Sequence, residues 1–170
     1  MNLADTVKIK PFTWRIIGEK TVTRIVKDSM RGIGQDGEKF KKYSKNYAKA
    51  KGSGFKNYQV RFVTHAGKNV KFIAGKPSRL KGVSVDRQTN PPNLRLTGEM
   101  HGSLSAQKPT PYGVTIQYGQ GEKVTWNKDS GRDIFGVRDK NLDLATKDLG
   151  KELDKNIQKY VSTEITYKIK

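Results

Sequence analysis

A mixture of helices and strands is predicted on three observations. Apolar stripes at helical spacing stand near both ends of the chain. Segments of period-two alternation recur between them. Neither an internal repeat nor a long apolar run interrupts that order. With 170 residues the chain suits one domain, Met1 to Lys170, able to bury a real core. That core is lean, since Leu, Ile, Val and Phe supply only 38 residues. A fraction near 22% lies just above the level at which charged chains stay unfolded.

The first helix is predicted to open at Pro11, where a missing N–H costs nothing. Trp14, Ile17, Thr21, Ile25 and Ser29 form its stripe, with Val22, Val26 and Met30 beside it. Gly18 weakens it locally, and Gly32, Gly34 and Gly37 end it. A shorter helix over Phe40 to Lys51 follows from Phe40, Tyr43, Tyr47 and Ala50, and Gly52-Ser53-Gly54 stops it. Gln59 to Ala74 reads as a hairpin turning at Ala66-Gly67-Lys68-Asn69. The proline- and glycine-bearing stretch Gly75 to Asn93 reads as a loop. Leu94 to Leu104 begins as strand or helix, with a helix N-terminus at Thr97. Val114, Ile116 and Tyr118 mark one strand, and Val124 with Trp126 another. Leu142, Ala145, Leu149, Leu153, Ile157 and Tyr160 mark a long last helix entered through Asp139. From Val161 to Lys170 the period changes to two, so that Val161, Thr163, Ile165, Tyr167 and Ile169 share one face of a strand-like tail.

Charge is the strongest compositional signal, at +18 overall. Between Lys39 and Arg95 stand 15 basic residues and one acid, Asp86, while the rest of the chain is nearly balanced. Such a segment calls for an acidic partner. Lys41, Lys42, Lys45, Lys49, Lys51, Lys56, Arg61, Lys68, Lys71, Lys76, Arg79, Lys81 and Arg87 are the candidate contacts. Aromatics interleave with them, a pattern shared by nucleic-acid binders and by lysine-faced core elements. The absence of cysteine excludes disulfides, thiolate zinc sites and a cysteine nucleophile. No apolar run approaches the roughly 20 residues of a membrane span, and the first 20 residues lack the apolar core of a secretory signal.

Catalytic chemistry finds little support. Gly32-Ile33-Gly34-Gln35-Asp36-Gly37 has dinucleotide spacing but follows a helix instead of a strand, and Asp36 would repel a pyrophosphate. His65 and His101 stand far apart and read as a surface or packed histidine each. Asp139 and Asp143 suit a helix start better than acid–base work. No cofactor and no enzymatic activity are expected. A metal-dependent nuclease is the weakest alternative, given so few carboxylates.

Three blocks occur in order. The first is Asp36-Gly37-Glu38-Lys39-Phe40-Lys41-Lys42-Tyr43-Ser44-Lys45-Asn46-Tyr47-Ala48-Lys49. The second is Asn93-Leu94-Arg95-Leu96-Thr97-Gly98-Glu99-Met100-His101-Gly102-Ser103-Leu104. The third is Val124-Thr125-Trp126-Asn127 with Arg132-Asp133-Ile134-Phe135-Gly136-Val137-Arg138-Asp139 and the helix after it. Over roughly Trp14 to Tyr160 the set resembles the virion morphogenesis, or tail-completion, proteins of tailed bacteriophages. The resemblance implies an α+β fold, a small, mostly antiparallel sheet packed with the N-terminal and long C-terminal helices. It implies a non-enzymatic structural subunit of the virion neck. Such subunits form a homo-oligomeric ring between the portal side and the tail and surround the DNA path, beside other neck, portal-adaptor or tail-tube proteins. Residues 55–93 then form an inserted basic arm of hairpin and loop, and 161–170 an added tail. The basic segment Lys39 to Arg95 is expected to face an acidic ring neighbour or packaged DNA, the protein partner being slightly favoured. The tail either adds to a neighbour's sheet, making its five alternating residues a subunit interface, or returns beside Thr6 to Lys10. A free nucleic-acid-binding protein acting through Lys39 to Arg95 is the alternative.

Overall fold

In the computed structural model, residues 8–56, 59–63, 69–73, 80, 82–134 and 136–168 are described, with the backbone alone for 59–63, 69–73 and 163–168. The fold is α+β, with an N-terminal helix, a long C-terminal helix and antiparallel strand pairs between them.

Helix α1 spans Pro11–Met30 and begins with its proline in the first turn. It buries Ile17, Gly18, Thr21, Ile25 and Ser29, the face the helical spacing marks out. The Thr21 hydroxyl donates back to the Ile17 carbonyl, so the buried polar atom costs little. Helix α2, Lys45–Gly52, is shorter than its apolar spacing suggested. Ser44 caps it by accepting from the Tyr47 amide, which leaves 41–44 as a non-helical lead. Strands β1, Gln59–Val63, and β2, Asn69–Ile73, form the expected antiparallel hairpin. Their register pairs Val60 with Phe72, Arg61 with Lys71 and Phe62 with Val70. The turn of this hairpin and His65 lie outside the described residues.

A single helical turn, α3 (Glu99–Gly102), leads into strands β3, Leu104–Thr110, and β4, Gly113–Tyr118. These pair antiparallel, with an irregularity between Gln107 and Thr110. Val124 and Trp126 do not form the expected strand. They lie in helix α4, Gly121–Asp129. Two alternating apolar residues are too few to fix a period, and here only Val124 turns inward while Trp126 is exposed. Helix α5 runs from Asp139 to Lys168. It overturns the strand-like tail: the last turns continue as helix through Lys168, and Ile169 lies outside the described residues. Residues two apart on a helix point about 200° from each other, so Val161, Thr163, Ile165 and Tyr167 do not share a face. Once a long helix is nucleated, each added residue gains a hydrogen bond. The tenths of a kcal/mol by which Val, Thr and Ile disfavour helix do not stop it.

Helix α1 is the hub. Its Gly18 face lies on the β3–β4 pair, where an added Cβ would meet Ala106 at 2.7 Å and Val114 at 3.0 Å. The indole N–H of Trp14 donates to the Pro111 carbonyl at the hairpin tip, 3.1 Å away. An adjacent flank of α1 holds α5: Arg24 pairs with Asp148 at 3.1 Å, and Asp28 accepts from Arg138 and Asn141. Replacing Gly18 with valine is expected to prise α1 from this sheet and cost ~1–3 kcal/mol by overpacking. Urea unfolding would check it, with an unchanged midpoint contradicting the close approach.

Candidate functional site

The three sequence blocks converge on one apolar cluster. Phe40 comes from the first, Met100 from the second, and Val124 and Ile134 from the third; Leu94 and Tyr118 pack against them. Hydrogen bonds tie the same segments together. The Tyr43 hydroxyl accepts from the Leu94 amide at 3.0 Å. Arg132 donates to the carbonyls of Lys41 and Lys42, and its guanidinium stands over the Tyr43 ring. The Gln35 amide and side chain both bond Asp133. Loop closure between α1 and this cluster needs Gly32 at φ 76°, because a side chain there would strike Pro91.

Beneath the basic segment lies a buried polar network. Lys51 is 1% exposed. Its ammonium donates to Asn93 Oδ1 at 2.6 Å, reaches the Tyr43 hydroxyl at 3.5 Å and lies 4.0 Å from Asp86. Burial pushes its pKa down to about 8, partly opposed by Asp86. Lys51 therefore leaves the set of partner contacts: it braces the 86–95 segment against α2. The sequence concealed this, because nothing in its spacing separates one lysine of a lysine-rich helix from the next.

This network predicts a pH response. The folded pKa of Lys51 lies below the ordinary lysine value, so the unfolded chain binds more protons between pH 8 and about 10.4. Stability then rises with pH, by about 2 kcal/mol from pH 8 to 10. Lys51→Met should abolish that rise. At neutral pH it should cost little, since Asn93 Oδ1 keeps the Arg95 amide and Asp86 keeps the Gln88 amide and Asn93. Denaturant titrations at four pH values check this, and a variant that retains the rise contradicts it.

A second buried pair joins elements that the sequence holds 72 residues apart. Ser29 Oγ and His101 Nε2 share a hydrogen bond of 2.8 Å. Both are buried, and His101 Nδ1 makes no hydrogen bond. A serine nucleophile needs access and a third group orienting its base. This pair has neither and is a packing contact between α1 and α3. Among the described residues no group of three His, Asp or Glu side chains is placed to hold a metal ion. Asp139 occupies the first turn of α5, as its place in the sequence suggested.

The remaining contact candidates divide into three groups. Lys41, Lys42, Lys45, Lys49, Lys56 and Arg87 are exposed. Lys56 and Arg87 border a cleft of about 360 Å³ that also touches Gly54, Val83, Ser84 and Val85. Arg61 and Lys71 have described backbone only, opposite one another in the hairpin. Lys68, Lys76, Arg79 and Lys81 lie outside the described residues.

The apolar stripe of α5 is only half covered. Leu149, Leu153 and Tyr160 are half-buried, but Leu142 is 54%, Ile157 50% and Val161 47% exposed. No described helix is long and apolar enough to cross a membrane. Comparison with family models, curated proteins and solved structures finds no match to this chain.

Proposed function

We propose that this chain is a structural, non-enzymatic subunit of a tailed-phage virion, built as a ring into the neck between portal and tail. One observation supports the reading above others. The three blocks that carry the resemblance meet in a single cluster of Phe40, Met100, Val124 and Ile134. Their packing into one unit is what a core shared across a family would require of them. The half-uncovered stripe of α5 suits a protomer that completes its burial against its neighbours. The lean composition suits it too.

The test is the location of the protein in particles. Purified virions should contain it, with density at the head–tail junction in electron micrographs and loss of tail joining when its gene is silenced. Absence from mature particles overturns the proposal. On the subunit, Leu142→Asp with Ile157→Asp should leave folding intact and reduce incorporation by tenfold or more. Normal incorporation would remove α5 from the assembly surface.

A further inference from the structure

The exposed cations of the first block follow one another closely along the chain. Lys41 and Lys42 lie in the lead before α2, and Arg132 fixes that lead by gripping their two carbonyls. Lys45 and Lys49 follow one helical turn apart, which puts their Cβ atoms about 5–6 Å from each other on one flank. Past the helix C-terminus, the Arg87 guanidinium stands over Gly54, and Lys56 follows it across the cleft. The eight residues of α2 measure about 12 Å. Among the described residues none of these six cations has an ion pair. Elsewhere Arg24, Lys123, Lys128 and Arg138 all have one.

Nothing inside the segment neutralises this flank. Its one acid, Asp86, turns inward to the Gln88 amide, Asn93 and Lys51. Asp36 and Glu38 bound the run only at its start. An uncompensated run of lysines repels itself in the free protein and is relieved by an anion of matching linear charge. Duplex DNA offers one negative charge per ~1.7 Å of axis.

Chemistry separates the possible polyanions. A protein interface draws its affinity from buried aromatic and apolar anchors, and lysine is depleted there. Along this flank the aromatic groups are committed inward. Tyr43 and Tyr47 pack on each other at 4.9 Å, Tyr47 meets Phe55, and Tyr43 carries Lys51 and Arg132 on its ring. The same commitment leaves these rings unable to stack unpaired bases, as single-strand binders require. Between Lys41 and Lys49 the exposed side chains are lysines with Ser44 and Asn46, charged or polar throughout.

We infer that the flank of Lys41, Lys42, Lys45 and Lys49, extended by Lys56 and Arg87, binds the phosphate backbone of duplex DNA without reading its sequence. This goes beyond the virion reading and holds for the isolated chain whatever it assembles into. It also reverses the slight preference for an acidic protein partner, because the rings beside the lysines are turned inward and the exposed apolar side chain at the cleft is the small Val83.

The experiment is fluorescence anisotropy of a labelled 30-base-pair duplex of arbitrary sequence, titrated with the full chain between 50 and 200 mM NaCl. The wild type should bind with a Kd of ~1–100 µM at the upper end and weaken steeply with salt. The quadruple variant Lys41→Gln, Lys42→Gln, Lys45→Gln, Lys49→Gln should reduce the slope of log K against log salt by about 3 to 4. A control with the same loss of charge on α5, Lys140→Gln, Lys147→Gln, Lys151→Gln, Lys155→Gln, should keep the wild-type slope. All eight lysines are exposed, and matching circular dichroism and melting curves would establish that both variants fold. A wild-type slope in the strip variant overturns the proposal. So do equal losses in both variants, which would mean net charge alone. Polyglutamate of matched charge binding more tightly than the duplex would assign the strip to an acidic protein and overturn it as well.

Discussion

Phe40→Ala is expected to lower the free energy of unfolding by about 3–5 kcal/mol, the largest effect of any single truncation considered. Phe40 is 6% exposed and shares its cluster with Met100, Val124 and Ile134, drawn from three distant parts of the chain. Removing the ring deletes its own transfer free energy and leaves a cavity that three separate segments would have to move to fill. The cluster is also clamped by Arg132 and Tyr43, so collapse is resisted and the cost should fall at the upper end of the range. Against a typical domain stability of ~5–15 kcal/mol this is a large fraction. Urea unfolding followed by tryptophan fluorescence would measure it. Leu142→Ala, on the uncovered face of α5, should change the same quantity by under about 1 kcal/mol. If the two variants are equally stable, Phe40 is not where the blocks meet.

Acid should destabilise the fold through His101 before it acts on the carboxylates. Burial, with Arg95 and Lys51 adding to it, pushes the His101 pKa down to about 4, against Asp86, which raises it. The unfolded imidazole titrates near 6.5. Between those values the unfolded chain binds more protons, so stability is full above pH 6.5 and falls as pH drops toward 4. The loss amounts to about 3 kcal/mol over that window. Asp148, held below the usual carboxylate range by its hydrogen bond from Arg24, gives up its contribution only at still lower pH. Its window is therefore separate. In His101→Gln the decline between pH 6.5 and 4.5 should flatten, while the lower one stays. A variant that still loses stability across that interval would show that another group carries the response.

Long, strongly periodic segments were legible in the sequence. The α1 stripe of Ile17, Thr21, Ile25 and Ser29 is the buried face, because a helix against a sheet needs apolar or small residues at that spacing. The hairpin of Gln59–Val63 and Asn69–Ile73 was equally plain. Segments of a few residues were not. Val124 and Trp126 have a helical and a strand reading, and only the burial of one and exposure of the other decides. The alternation after Tyr160 is genuine, yet it rides on a helix that a local pattern does not interrupt.

The site was legible in part. A concentration of lysine can be counted, but which lysine turns inward depends on Asn93 and Asp86 arriving from 42 and 35 residues away. Ser29 reads in the sequence only as a member of the α1 stripe and His101 only as a surface or packed histidine, yet the fold brings them to 2.8 Å. Such pairs are set by topology, which single-residue periodicity does not encode.

The wide spacing of the central cluster has a consequence for how the chain is made. Phe40 must wait for Ile134, 94 residues further on, before its pocket is complete. At synthesis rates of 5–20 residues per second that wait lasts about 5–20 s. Over the same interval α1 has left the ribosome with Ile17 and Ile25 uncovered, since the strands and helix that cover them are still unmade. Completion of that cluster depends on contacts between remote parts of the polypeptide, which form slowly and prolong exposure of apolar surface. Nascent chains that end before about residue 135 should accumulate on chaperones or in inclusion bodies, whereas chains that extend through α5 can complete both the cluster and the cover of α1.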